Sequence, residues 1–135
     1  MSKPSGRAEQ AGVIAVRRSS RGLEVCLIRK AKSPWSIPKG LIEHGDTQRA
    51  TAVREAWEEA RAELLIEGLL GVYSVPRISQ VHIIYRARLR SPDVAAGEES
   101  LEVRLFAWDE IPWDDLAFES TRDALKDYLK LYIKV

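Results

Sequence analysis

The sequence predicts an α/β fold, a mixed sheet with helices on its faces. Three observations lead there. Short β-rich runs recur at Gly12–Arg17, Leu23–Lys30, Gln80–Leu89 and Glu102–Trp108. Two stretches switch to helical spacing. Ala50, Val53, Trp57 and Ala60 fall at offsets 0, 3, 7 and 10, and Ala124, Leu125, Tyr128 and Leu131 follow the same rule. The resulting order is strand, strand, helix, strands, helix, which suits helices packed on a mixed sheet.

Each element has its own signal. Ser19-Ser20-Arg21-Gly22 breaks the first two strands as a hairpin turn. Lys32–Pro38 reads as a loop around Trp35, and Gly40 and Gly45 bracket a tight segment ending at Asp46-Thr47, a good helix N-cap. The helix runs from about Thr47 to Ala60, with Val53, Trp57 and Ala60 expected on its buried face. Leu64–Pro76 is one bent strand or two, interrupted by Glu67-Gly68. Ser91–Ser100, with Pro92 and Gly97, is a polar loop. In the next strand, alternation puts Val103, Leu105 and Ala107 on one face and Glu102, Arg104 and Phe106 on the other. Ile111–Trp113 turns, and Thr121–Tyr132 closes the chain as an amphipathic helix.

Composition narrows the function. A chain of 135 residues, 45% hydrophobic, fits one compact domain with an ordinary core. Lys plus Arg number 21 against 20 Asp plus Glu, so no global field favours nucleic acid or an anionic membrane. An anionic ligand must be held by local charges or by metal. The single cysteine, Cys26, lies in an apolar run and reads as a buried thiol. His44 and His82 lack zinc-spaced partners. No run approaches the ~18 apolar residues of a membrane span. The polar start MSKPSGRAEQ lacks an apolar signal core. Residues 1–10 are therefore expected to be a flexible arm and 11–135 a single domain, in the cytoplasm.

The stretch with chemical content is GLIEHGDTQRATAVREAWEEARA, Gly40 to Ala62. Glu55, Glu58 and Glu59 stand at i, i+3 and i+4, on one flank of the helix. Like charges so placed repel, each pair costing a few tenths of a kcal/mol, and Arg54 offsets only part of that. A solvated acidic helix face would look the same. The glycine turn leading into the helix favours a site, because it lets backbone approach a ligand and turns the Gly40 carbonyl inward. Carboxylates plus a carbonyl form the hard oxygen set that Mg2+ or Mn2+ takes.

This stretch resembles the Nudix signature: glycine, five residues, glutamate, seven residues, then Arg-Glu-apolar-x-Glu-Glu-x-Gly-apolar. Gly40, Arg54, Glu55, Glu58 and Glu59 match in identity and spacing. Asp46 replaces a glutamate, which puts an outer metal or water contact in doubt. Arg61 replaces the glycine that ends the helix, which suggests a different helix exit. The resemblance implies a Nudix fold, an α/β/α sandwich with a central mixed sheet. It implies hydrolysis of a nucleoside diphosphate linked to another moiety, with Gly40, Glu55, Glu58 and Glu59 holding Mg2+ and Arg54 orienting the glutamates.

Under that resemblance the general base is Glu59 or a loop glutamate, Glu99 before Glu98. Lys39 and Arg29 are candidate phosphate contacts. Trp35 and Tyr73 are more readily core residues than base-stacking platforms. Two subgroup signals compete. VPRISQVHIIYRARL, GEESLEVRLFAWDEIPW, DLAF and the position of Pro76 resemble ADP-ribose or FAD pyrophosphatases, without their frequent N-terminal zinc ribbon. WSIPKG resembles dinucleoside-polyphosphate and diphosphoinositol hydrolases. The expected partner is a small nucleotide diphosphate, with no stable nucleic-acid complex, no membrane, and a homodimer as one option. The alternatives are a dinucleoside-polyphosphate or RNA 5'-end hydrolase, and a nucleotide-sensing module without catalysis. Such modules usually have eroded glutamates, whereas all three stand here.

Overall fold

The computed structural model describes residues 8–132. The chain forms strands β1 (Ala8–Ser19), β2 (Gly22–Arg29) and β3 (Lys39–Leu41), helix α1 (Gln48–Ala60), strands β4 (Leu64–Val75), β5 (Gln80–Leu89) and β6 (Glu102–Ala107), and helix α2 (Glu119–Tyr132). The sheet order is β4-β5-β1-β2-β6, with β3 paired to β1. β1 and β5 run parallel, and the other pairings are antiparallel, so the sheet is mixed as expected. Ala8–Gln10, expected in the arm, belong to β1 because the parallel ladder to β5 begins at Ala8 opposite Gln80. The rest of that arm lies outside the described residues. No helix among the described residues is long and apolar enough to cross a membrane.

Alternation along the central strands divides the core. Ile14, Val16, Val25, Leu27, Trp35, Ile84 and Phe106 pack with Ala124, Leu125 and Tyr128 of α2. Val13, Ala15, Cys26, Ile28 and Ala87 pack with Ala56 and Ala60 of α1. Trp35 is thus a core residue, meeting Phe106 edge to face at 4.9 Å. Cys26 is fully buried, and burial pushes its thiol pKa up to about 12. In β6, Phe106 joins the α2 layer while Val103 and Leu105 pack in the α1 layer, the alternation read from the sequence.

The expected inner face of α1 is corrected. Val53 is 41% and Trp57 47% exposed, and Ala50 is also exposed. The buried residues are Thr51, Ala52, Ala56, Glu59 and Ala60. Alanines let the helix lie close against Ala15 and Ala87, and bulky Val53 and Trp57 turn away. Thr47 is the N-cap, its hydroxyl accepting the Ala50 N–H at 3.0 Å. The helix exit is also corrected. Arg61 takes the left-handed conformation a glycine would adopt (φ 49°, ψ 34°), with N–H groups of Arg61 and Ala62 donating to Trp57 and Ala56 carbonyls. A non-glycine residue there costs about 1–2 kcal/mol, offset in part by the guanidinium lying 5.4 Å over the Trp57 ring. In α2, Ala124, Leu125 and Tyr128 are buried as expected, but Leu131 is exposed at the end of the helix.

β4 is one strand with two register shifts, beside Gly68 and Gly71. The α2 layer is anchored by His82 on β5, which is 1% exposed. Its Nδ1 lies 2.7 Å from Ser120 Oγ and its Nε2 2.7 Å from Gln80 Oε1. The neutral tautomer protonated at Nε2 satisfies both, donating to Gln80 and accepting from Ser120. Burial, aided by the positive charge of Lys39, pushes the His82 pKa from 6.5 down to about 4. Between those values the unfolded chain takes up a proton that the folded chain refuses. Stability from neutral His82 is complete above pH 6.5 and is lost as pH falls toward 4. Thermal melts across that window are expected to show a falling Tm, with a shallower fall in His82→Gln; identical slopes would remove His82 as the cause.

Candidate active site

The site forms where α1 crosses the ends of β1, β3 and β2. β3 pairs with the first half of β1, Ala11 opposite Gly40 and Gly12 opposite Lys39. That register brings Gly40 directly against α1. A Cβ at Gly40 would lie 2.2 Å from the Glu55 carboxyl, so only glycine permits this approach. One residue earlier, the Lys39 backbone N–H donates to Glu59 Oε1 at 2.9 Å. The other oxygen, Glu59 Oε2, is 2.5 Å from Lys30 Nζ, just past β2. Glu59 is 2% exposed, and these two partners satisfy its charge.

Arg54 is the hub of the outer carboxylates. It pairs with Asp46, lies 3.5 Å from Glu55 Oε2, and stands 3.8 Å from both Glu58 and Glu43. Asp46, one methylene shorter than the signature glutamate, is thereby tied to Arg54. Glu55 feels surplus negative charge. Burial, then Glu59, then Glu58 raise its pKa, and Arg54 reverses only part of this.

The 91–100 loop is docked more firmly than a free-swinging loop. Ala95 N–H donates to the Ala60 carbonyl at 2.9 Å and Gly97 N–H to the Glu59 carbonyl at 3.2 Å, satisfying the end of α1. A Cβ on Gly97 would meet the Glu58 carbonyl at 1.6 Å. The side chains of Glu98 and Glu99 remain exposed and line a shallow depression with Glu58 and Arg61.

Beside Glu59 opens a cavity of about 280 Å³ whose lining includes Lys30, Lys39, Pro34, Ile37 and Phe118. Lys39 Nζ reaches Gln10 Oε1 at 2.7 Å and lies 4.0 Å over the Phe118 ring. Burial lowers the Lys39 pKa to about 8 against the opposing pull of Glu59. For Lys30, burial also works against the charge, but the bond to Glu59 together with the charges of Glu59, Glu99 and Glu55 outweighs it and the pKa is raised.

The expected site residues thus separate. Gly40, Glu55, Glu59 and Lys39 come together, Arg54 and Glu58 flank them, and Glu99 lines the depression beside Glu58, near enough for its charge to act on Lys30. Arg29 lies elsewhere: its guanidinium is 5.5 Å over Trp35 and 3.5 Å from Glu102. Tyr73 donates to Asp127 at 2.7 Å and packs on the core. Lys30 and Phe118 were missed. Lys30 shares the strand parity of Cys26 and Ile28, a pattern visible in the sequence that selects Lys30 only once α1 is known to cover that side. Phe118 ends the DLAF segment, which counted in the sequence as a subgroup signal and not as a cavity wall.

Among the described residues, no three His, Cys, Asp or Glu side chains converge to hold a metal as they stand. The donor chemistry nevertheless fits a hard divalent cation. Negative charge around Glu55 is only partly relieved by Arg54, and the missing Cβ of Gly40 leaves backbone beside its carboxyl.

The NUDIX domain family model matches residues 6–128. A MutT-like protein of Streptomyces ambofaciens is 30% identical over 111 residues, covering 82% of this chain and 70% of that protein. The crystal structure of a NUDIX hydrolase from Nitrosomonas europaea superposes with a TM-score of 0.82 at 40% identity, covering 93% of this chain and 71% of that one. The NUDIX domain of Shewanella oneidensis NrtR, crystallised with ADP ribose, has the same fold, with a TM-score of 0.83 at 15% identity over 97% of this chain and 94% of that one. The chain belongs to the Nudix family and is a hydrolase of phosphoric anhydrides.

Proposed function

We propose that this Nudix hydrolase is a divalent-metal-dependent pyrophosphohydrolase that cleaves a nucleoside diphosphate linked to another moiety, such as ADP-ribose or FAD. The observation that carries the reading is Glu55, pressed against Gly40 and crowded by the charges of Glu58 and Glu59, beside a cavity with two lysines. Mg2+, or Mn2+ in its place, would be held by the Gly40 carbonyl, Glu55, Glu58 and Glu59. Once bound, the metal supplies charge neutralisation for the diphosphate and lowers the pKa of an attacking water.

The chain's own groups do the rest. Lys30 and Lys39 face the cavity and hold phosphate oxygens by charge. Arg54 fixes Glu55 and Glu58 through ion pairs. Glu59, or Glu99 beside Glu58, takes the proton of a water whose oxygen bonds one phosphorus as the bond from that phosphorus to the bridging oxygen breaks, and the other phosphate leaves. Pro34, Ile37 and Phe118 give the remaining moiety an apolar wall. Arg29 would have to leave Glu102 to reach a phosphate, so Lys30 is the better phosphate contact. Two cavity lysines match a diphosphate more closely than a tetraphosphate, which supports ADP-ribose or FAD over diadenosine tetraphosphate.

A panel of these nucleotides, with Mg2+ or with excess EDTA, tests the reading. Turnover is expected with Mg2+ and none with EDTA, and kcat/KM is expected to favour ADP-ribose or FAD. Full turnover in EDTA would refute the metal, and a preference for the tetraphosphate would reverse the substrate order.

Glu55 should show a conflict between function and stability. Glu55→Gln removes a disfavoured buried charge while keeping the side-chain shape. The metal-free variant is expected to melt above the wild type, to lose most of the Tm increase that Mg2+ gives the wild type, and to lose activity. A lower metal-free Tm would show that Arg54 already compensates the charge.

For the proton acceptor, Glu99→Gln is expected to lower kcat more than it raises KM, with Glu98→Gln doing less. Wild-type kcat in both variants and in the double variant would leave Glu59 as the acceptor. Glu59→Gln is then expected to cost at least about 10²-fold in kcat.

A further inference from the structure

In the empty site Glu59 has no oxygen to spare. Oε1 is bound by the Lys39 N–H, a backbone group fixed inside β3. Oε2 is bound by the Lys30 ammonium at 2.5 Å. The two partners differ in freedom. The amide cannot leave without breaking the β1–β3 pairing. Lys30 sits on a flexible stem, its side chain is 45% exposed, and its ammonium borders the same cavity as Lys39. Its backbone is fixed by the turn after β2, where Ser33 N–H donates to the Lys30 carbonyl at 2.8 Å and Ala31 takes a φ of 48°. Only the side chain is free to change partner.

We propose that Lys30 is a substrate-sensing positioning residue. It latches Glu59 in the empty enzyme and moves to the substrate's phosphate when the cavity fills, releasing Oε2 to the metal. This rests on the reading of Glu59 as a metal ligand. The ammonium and the metal compete for one carboxylate oxygen, so the empty enzyme binds metal weakly. An anion that draws Lys30 away tightens metal binding, and by linkage metal tightens the anion. The latch delays assembly of the full site until substrate is present.

The test uses Mn2+ alone as the metal probe, titrated by electron paramagnetic resonance against wild type, Lys30→Met, Lys30→Arg, Lys39→Met and Glu59→Gln, with and without sulfate as a phosphate stand-in. A latch open about a tenth of the time weakens apparent metal affinity about tenfold. Lys30→Met is therefore expected to bind Mn2+ about tenfold tighter than wild type, and Lys30→Arg to stay near wild type. Lys39→Met removes the same charge from the same cavity without freeing a Glu59 oxygen, and is expected to change affinity much less. Sulfate is expected to tighten Mn2+ binding to wild type but not to Lys30→Met. Equal gains in Lys30→Met and Lys39→Met would reduce the effect to general electrostatics and overturn the latch, as would no gain in Lys30→Met. Glu59→Gln separates the two levels of the argument. Weakened Mn2+ binding there, with no gain in Lys30→Met, overturns the latch alone. Unchanged Mn2+ binding in Glu59→Gln overturns the ligand role and the latch with it.

Discussion

A carboxylate almost wholly removed from water needs partners for both oxygens, and Glu59 finds them on two different segments. One is the Lys39 N–H in β3 and the other the Lys30 ammonium beyond β2. The Lys39 amide is held in β3 while the half-exposed Lys30 side chain can move, so the bond to the Lys39 N–H fixes how close α1 comes to the sheet. That distance explains the alanines. Ala52, Ala56 and Ala60 lie inward because Glu59 must reach β3, and larger side chains at those positions would lift the helix away.

The same closeness concentrates charge. With Glu59 drawn in, Glu55 follows one turn earlier and meets Gly40, where no side chain stands between carboxyl and backbone. Arg54 serves four acidic side chains at once and fully neutralises none of them. The helix therefore keeps a negative edge that its own chain does not balance. A structure selected for stability alone would place a cation there or remove an acid. This chain spends its basic residues elsewhere, with Arg17 and Arg21 on Glu24 and Arg88 on Glu67.

The sequence made the element order, the N-cap at Thr47 and the strand parity of β6 legible, because each depends on local chemistry. It misplaced what depends on contact between distant segments. Val53 and Trp57 looked like an inner face because apolar size usually marks burial, and only the docking of Glu59 against β3 overrides that rule. Arg61 was read as a different helix exit, yet it adopts the glycine conformation because the docked 91–100 loop fixes the end of α1. Gly40 and the three glutamates were visible as a set from spacing. Lys30 was hidden by a face assignment. Arg29 and Lys30 are neighbours on opposite sides of β2, and choosing between them requires knowing which side α1 covers.

The two layers of the core are not independent at the site. α1 supplies the acids, but one wall of the cavity comes from the segment leading into α2, through Ala117 and Phe118. That segment is held by His82, whose ring meets Phe118 edge to face at 5.4 Å and bonds Ser120 at 2.7 Å. Phe118 in turn lies under the Lys39 ammonium, and the Lys39 amide holds Glu59. A continuous set of contacts therefore runs from a buried histidine in the α2 layer to the acid that docks α1. Because His82 bonds Ser120 and meets Phe118 edge to face, the shape of the cavity wall depends on a residue with no place in the chemistry. The packing of α2 thereby bears on the position of a lysine charge as well as on stability.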